Sequence, residues 1–193
     1  MLTTLDLRGK GTHLIGLIPP PSAPGEDVAE QVRAIIAEVE LGGDDALRSL
    51  TRRFDGLEID DPRVPRAEIE ATAQRVPAAL LKALEAAWER IVSYHADEPS
   101  PQPAYRADGV TVHHRDVPVE RAGCYAPGGR ARYPSSVLMC AAPAKVAGVG
   151  EIALCVPPAS DGRIDDATLA AAHVAGIDEV YAVGGAQAIA AMA

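Results

Sequence analysis

The chain has 193 residues, of which 48% are hydrophobic, 23% charged and 4% aromatic, the proportions of a soluble globular protein long enough for one sizeable core or two small ones. Its net charge of −9, with no run of Lys or Arg, argues against a nucleic-acid partner and against an anionic membrane surface. Its cysteines, Cys124, Cys140 and Cys155, are odd in number and form no CxxC pair, so neither a disulfide framework nor a zinc knuckle is indicated. The opening "MLTTLDLRGK" lacks an apolar signal core, and no apolar run reaches membrane-spanning length. A cytoplasmic, reducing setting is expected.

In chain order, residues 1–25 are rich in Pro and Gly and predict an extended lead-in. From Glu26 the spacing of Val28, Val32, Ile35, Ile36 and Val39 predicts one helical apolar stripe, broken at Gly42-Gly43. A second helix should follow, with Ala46, Leu47, Leu50 and Phe54 inward, ending near Gly56. "RAEIEATAQR" and "PAALLKALEAAWERIVSYHA" predict two more, the latter with Leu80, Leu81, Leu84, Ala87, Trp88, Ile91 and Val92 as its stripe. "DEPSPQPAYRADG", 97–109, reads as a polar joint, and "VTVHHRDVPVERAGCYA" alternates like strands. Then "SSVLMCAAPAKVAGV" (helix), "EIALCVPP" (strand), "DDATLAAAHVAGI" (helix), "DEVYAVGG" (strand) and "AQAIAAMA" (helix) predict a parallel sheet with crossover helices. The expected organisation is a lead-in over 1–25, a mainly helical region over 26–118 and a parallel α/β unit over 119–193.

In an open α/β sheet, ligands bind beyond the C-terminal strand ends. Three loops sit there: 126–134, "VPPASDGRIDD" and "VGGAQA" at 183–188. Glycines in the first and third let backbone approach a ligand closely. Tyr125 would offer a ring face and hydroxyl at a strand end, and Gln187 an amide in a first helical turn. "GGAQA" is not a GxGxxG fingerprint, so these residues alone leave open whether the loops hold a ligand or are ordinary strand–helix turns. Arg130 and Arg132 are solvated loop charges that could also guide an anion. Ser135 and Ser136 are expected to cap the next helix. His13, His95, His113, His114 and His173 show no compact ligand spacing; the adjacent pair would point to opposite strand faces, and His173 would be a C-terminal-turn cation or a satisfied partial-core residue.

The run "VPVERAGCYAPGGRARYPSSVLMCAAPAKVAGVGEIALCVPP", continued by "TLAAAHVAGIDEVYAVGGAQAIAAMA", strongly resembles histidinol dehydrogenase, as do the weaker "GGDDALRSLTRRFDG" and "LDLRG". The resemblance covers 117–193 almost continuously. It implies an NAD-dependent, zinc-containing enzyme of histidine biosynthesis that oxidises L-histidinol to the aldehyde and then to L-histidine. It further implies cytoplasmic homodimers with incomplete Rossmann-like sheets. By motif match, Tyr125 and Gln187 fall on the family's NAD-contacting positions. The zinc ligands and the proton-handling Glu-His pair would lie beyond the equivalent of Ala193. On this reading the chain is an N-terminal fragment, inactive alone, which leaves sheet edge and apolar surface uncovered. The alternatives are a non-catalytic α/β module, a binding domain without turnover, or one half of a split enzyme.

Overall fold

The computed structural model describes residues 4–9, 11, 16, 18, 25–98, 104–128, 131–177 and 179–193. Most of the lead-in expected over 1–25, and with it His13, lies outside the described residues, as do Gly129 and Arg130. The chain divides into two units, Met1–Ala34 and Ile35–Ala193. Within the first, Arg8 holds Asp6 through paired side-chain bonds of 2.9 and 2.6 Å.

Helix α1 (Glu26–Asp55) is bent where the sequence predicts a break: Gly43 sits at φ 52°, ψ −131° inside it. Past the bend, Leu47 and Leu50 are buried, but Phe54 is 51% exposed, contrary to the inward position expected of it. The Arg53 guanidinium lies 5.0 Å from the Phe54 ring centroid, giving it a partner at the surface. The earlier stripe is also only partly used: Val39 is buried, whereas Val28, Val32 and Ile36 are exposed.

Strand β1 (Arg63–Val64) precedes α2 (Arg66–Arg75) and α3 (Ala78–Ala96), each of which starts directly after a proline, Pro65 and Pro77. The joint expected at 97–109 instead contributes β2 (Ala104–Ala107), which pairs antiparallel with β3 (Val110–His113). Asp108 and Gly109 join them with positive φ values of 50° and 79°, as a type I′ hairpin turn demands. His114 lies outside β3 and pairs with Asp116.

The remaining elements alternate as predicted: β4 (Arg121–Tyr125), α4 (Pro134–Val146), β5 (Glu151–Cys155), α5 (Asp166–Val174), β6 (Glu179–Tyr181) and α6 (Gly185–Met192). The main sheet runs β1-β6-β5-β4, with β4, β5 and β6 parallel and β1 added antiparallel beside β6. The α/β class and the parallel core match the expectation, and β1, only two residues long, is the addition.

Register sorts the side chains. Cys124, Leu154, Val180 and Val64 form one cross-strand row and point into a core shared with α2, α3, α4 and α5. The neighbouring row of Tyr125, Cys155 and Tyr181 points to the opposite face, where Leu47 and Leu50 of α1 and Ala188 of α6 pack. α4 and α5 therefore cover one side of the sheet, and α6 covers the other.

Helix starts are set locally. Asp165 caps α5, accepting from the N–H groups of Ala167 and Thr168 and from the Thr168 hydroxyl. α4 begins differently from the sequence expectation. Pro134 takes its first position and Tyr133 its cap, so Ser135 and Ser136 lie inside the first turn and cap nothing. Pro has no N–H to leave unpaired and its fixed φ suits that position, which moves the helix start one residue ahead of the serines.

Candidate functional site

The three parallel strands end together. β4 ends at Tyr125, β5 at Cys155 and β6 at Tyr181. The loop after β6 must reach a helix on the opposite face from α4 and α5, so it crosses the strand ends. There the Gly185 N–H donates to the Tyr125 hydroxyl oxygen at 3.2 Å, joining residues 60 apart in sequence. Gly184 is the N-cap of α6 and supplies no side chain to cap it, so the tyrosine oxygen takes that place. Gly185 has φ 68°, and a Cβ there would lie 2.5 Å from Gln187 Oε1; glycine is what lets the Gln187 side chain fold back over the turn. Gln187 itself is only 2% exposed. The two residues singled out from sequence, Tyr125 and Gln187, thus stand at one end of the sheet, on either side of the same helix start.

Pro157, which the sequence does not mark, is what both glycine loops close upon. A Cβ on Gly128 would lie 2.5 Å from the Pro157 carbonyl oxygen, and one on Gly184 would lie 2.8 Å from Pro157 Cβ. The glycines are needed here for close approach.

On the face shared by α1 and α6, a groove of about 530 Å³ opens over the sheet, floored by Gly123, Ala153 and Cys155 and flanked by Leu47, Ala188 and Met192. One end carries an ion cluster in which Arg121 pairs with Glu179 and Arg63 approaches the same carboxylate at 3.7 Å. The Tyr181 hydroxyl donates to Glu179 at 3.3 Å, and burial together with the Glu179 charge raises its pKa. On the opposite side of the strand ends, Arg132 lines a polar recess of about 450 Å³ with Pro157, Asp161, Arg163 and Asp165.

Burial pushes the Cys124 and Cys155 thiols up to about 11, so both are neutral fillers. Cys140, half-buried, directs its thiol toward the Tyr125 carbonyl at 4.0 Å. His173 is exposed in the last turn of α5. Among the described residues no three His, Cys, Asp or Glu side chains converge as a metal site, and no helix is long and apolar enough to cross a membrane.

The histidinol dehydrogenase family model matches residues 21–193. The chain belongs to the histidinol dehydrogenase family. The histidinol dehydrogenase of Methanothermobacter thermautotrophicus is 47% identical over 169 residues, covering 87% of this chain and 40% of that protein. That of Pseudomonas aeruginosa is 46% identical over 189 residues, covering 95% and 42%. The crystal structure of histidinol dehydrogenase from Elizabethkingia anophelis superposes with a TM-score of 0.83 at 35% identity, covering 92% of this chain and 41% of that one. The chain therefore spans about 40% of the length of the curated histidinol dehydrogenases it matches.

Proposed function

We propose that the chain is the N-terminal part of an NAD-dependent, zinc-containing histidinol dehydrogenase, which oxidises L-histidinol through the aldehyde to L-histidine and works as a cytoplasmic homodimer. In this reading residues 119–193 form part of its NAD-binding domain. The observation that carries the proposal is the bond from the Gly185 N–H to the Tyr125 hydroxyl. It gathers a strand end, two glycine loops and a helix N-terminus at the place where parallel α/β sheets bind dinucleotides.

These residues suit NAD. Gly185 is exposed and carries no side chain of its own, the α6 N-terminus favours a negative group, and the Tyr125 hydroxyl can both accept and donate. Tyr125 would orient the cofactor from β4, and Gln187 would do so from the first turn of α6. NAD supplies the hydride acceptor when bound. The residues described here do not fit zinc, since no three His, Cys, Asp or Glu side chains among them converge. The metal ligands and the proton-transferring groups belong to the remaining family length. Without a base and a metal held against the substrate, this chain alone should not turn over.

The test is NAD titration of the purified chain by calorimetry or saturation-transfer NMR, beside Tyr125→Phe and Gln187→Ala. Both variants should bind more weakly while melting cooperatively, and the chain given histidinol, zinc and NAD should form no NADH. Equal NAD affinity in all three proteins would remove the assignment of these residues, and turnover by the chain alone would overturn the fragment reading.

A further inference from the structure

The helix starts beside the strand ends are closed in different ways. α5 is closed by its own carboxylate, Asp165, which accepts from the N–H groups of Ala167 and Thr168. α6, eight residues long, has no acidic side chain in its first turn, and its N-cap Gly184 has no side chain at all. The Gly185 N–H instead donates to the Tyr125 hydroxyl at 3.2 Å, a neutral acceptor at the long limit of the hydrogen-bond range. A second polar group stands at the same turn. Gln187 occupies the third helical position, where a glutamine ordinarily reaches back to the N-cap N–H. Its amide lies against Gly185 and makes no hydrogen bond among the described residues, although Gln187 is only 2% exposed. A buried amide without a partner is costly. Gly185, which it covers, is exposed, so a ligand can reach the turn.

We propose that the Tyr125 hydroxyl is a place-holder at the α6 N-terminus, exchanged for a phosphate oxyanion of the ligand, with the Gln187 amide as that oxyanion's second donor. The proposal rests on reading these strand ends as the cofactor site and adds a regulating contact to it. The Gly185 N–H can serve one acceptor at full strength. An oxyanion is the stronger of the two, because its charge shortens the bond and is favoured by the helix dipole. The phenol therefore gives up the N–H as the phosphate takes it, and its freed hydroxyl turns to donate to the ligand.

The experiment follows the Gly185 amide by NMR in the purified chain during titration with inorganic pyrophosphate at fixed ionic strength, and separately with NAD. Pyrophosphate should shift the Gly185 resonance. Tyr125→Phe removes the acceptor that must leave, so it should tighten pyrophosphate binding by about three- to tenfold. It should weaken NAD binding, since the whole cofactor loses the freed hydroxyl. Gln187→Glu suits the third helical position but sets a carboxylate against the oxyanion, so pyrophosphate should bind about tenfold or more weakly at an unchanged melting temperature. Pyrophosphate that leaves Gly185 unmoved, or binds Tyr125→Phe no more tightly than the parent chain, would overturn the exchange whatever NAD does. So would full pyrophosphate affinity in Gln187→Glu, which needs no tyrosine variant to fold. If pyrophosphate behaves as expected while NAD does not distinguish the parent chain from its variants, the cofactor reading falls and the exchange stands at a phosphate site.

Discussion

Gly184→Ala tests whether the crossing at the strand ends depends on close approach to Pro157. Gly184 is buried and extended, at φ −114° and ψ −175°, so alanine meets no backbone strain. The penalty is steric. The new Cβ would stand 2.8 and 2.9 Å from Pro157 Cβ and Cγ and 3.2 Å from its Cα, against a carbon–carbon optimum of roughly 3.5–4.0 Å. Pro157 has little freedom to recoil, because its carbonyl already closes on Gly128. Overpacking of this kind costs about 1–3 kcal/mol, offset by the ~0.4–1 kcal/mol that Gly→Ala gains by restricting the unfolded chain. A net loss of about 1–2 kcal/mol is expected, read as a lower urea midpoint at constant slope. In a Pro157→Gly background the two closest contacts vanish, so most of that loss should vanish too, giving a coupling on the order of 1 kcal/mol. A neutral or stabilising Gly184→Ala, or a penalty unchanged by Pro157→Gly, would refute the reasoning.

Asp165→Ala should cost about 1–2 kcal/mol in urea unfolding, since one carboxylate satisfies two N–H groups and a hydroxyl at the start of α5. Arg75 grips Asp166 at 3.0 and 2.7 Å and holds its carboxyl below the ordinary 3.8. The stability this adds is present above the ordinary carboxylate pKa and lost as pH falls through the lowered value, so Asp166→Asn should destabilise at neutral pH and progressively less below about pH 4 in thermal melts. With Cys124 and Cys155 pushed up to about 11, a thiol reagent at about pH 8 should label Cys140 first and the other two only on unfolding; fast labelling of either buried thiol by peptide mapping would contradict the burial account. In β4 the bonds Ala126 N–H to Cys155 and Glu151 N–H to Glu120 fix which groups face β5, leaving the N–H groups of Gly123 and Tyr125 on the free edge; these should exchange faster than those of Ala122 and Cys124.

Much of the parallel core is legible in the sequence because its central strand is buried on both faces and reads as an unbroken apolar run, Ile152–Cys155, with helices of matching length on either side of it in the chain. The elements that escape do so for physical reasons. β1 is two residues long, too short for any period to register, and is held by a single pairing with β6. The hairpin is obscured by the prolines before it, although Asp108-Gly109 between β-branched and aromatic residues is a strong turn signal. Phe54 falls on the predicted stripe but ends at the surface, because periodicity assigns a face and says nothing of whether another element covers it. The site divides the same way. Tyr125 and Gln187 can be placed by their strand-end positions and by family motif, whereas Pro157 acquires its role only when two loops 56 residues apart, at Gly128 and Gly184, close on it.

What brings those loops together is the change of side at α6. With α4 and α5 on one face of the sheet, a third helix on that face would have carried the chain onward past β6. Instead α6 lies on the opposite face and contacts β4, with Met192 packed so close to Gly123 that a Cβ there would lie 2.9 Å from it. The chain must therefore cross the strand ends from β6 back toward β4, and beneath the crossing Pro157, two residues past the end of β5, stands where both Gly128 and Gly184 leave no room for a Cβ. The hydrogen bond from Gly185 to Tyr125 is the far end of that crossing. Its geometry depends on the spacing of β4, β5 and β6, which the buried row of Cys124, Leu154 and Val180 sets from the other face. A rigid aliphatic core on one side of a three-stranded parallel sheet thus positions, on its upper edge, two glycine loops and a tyrosine to a tolerance that a single methyl group would exceed.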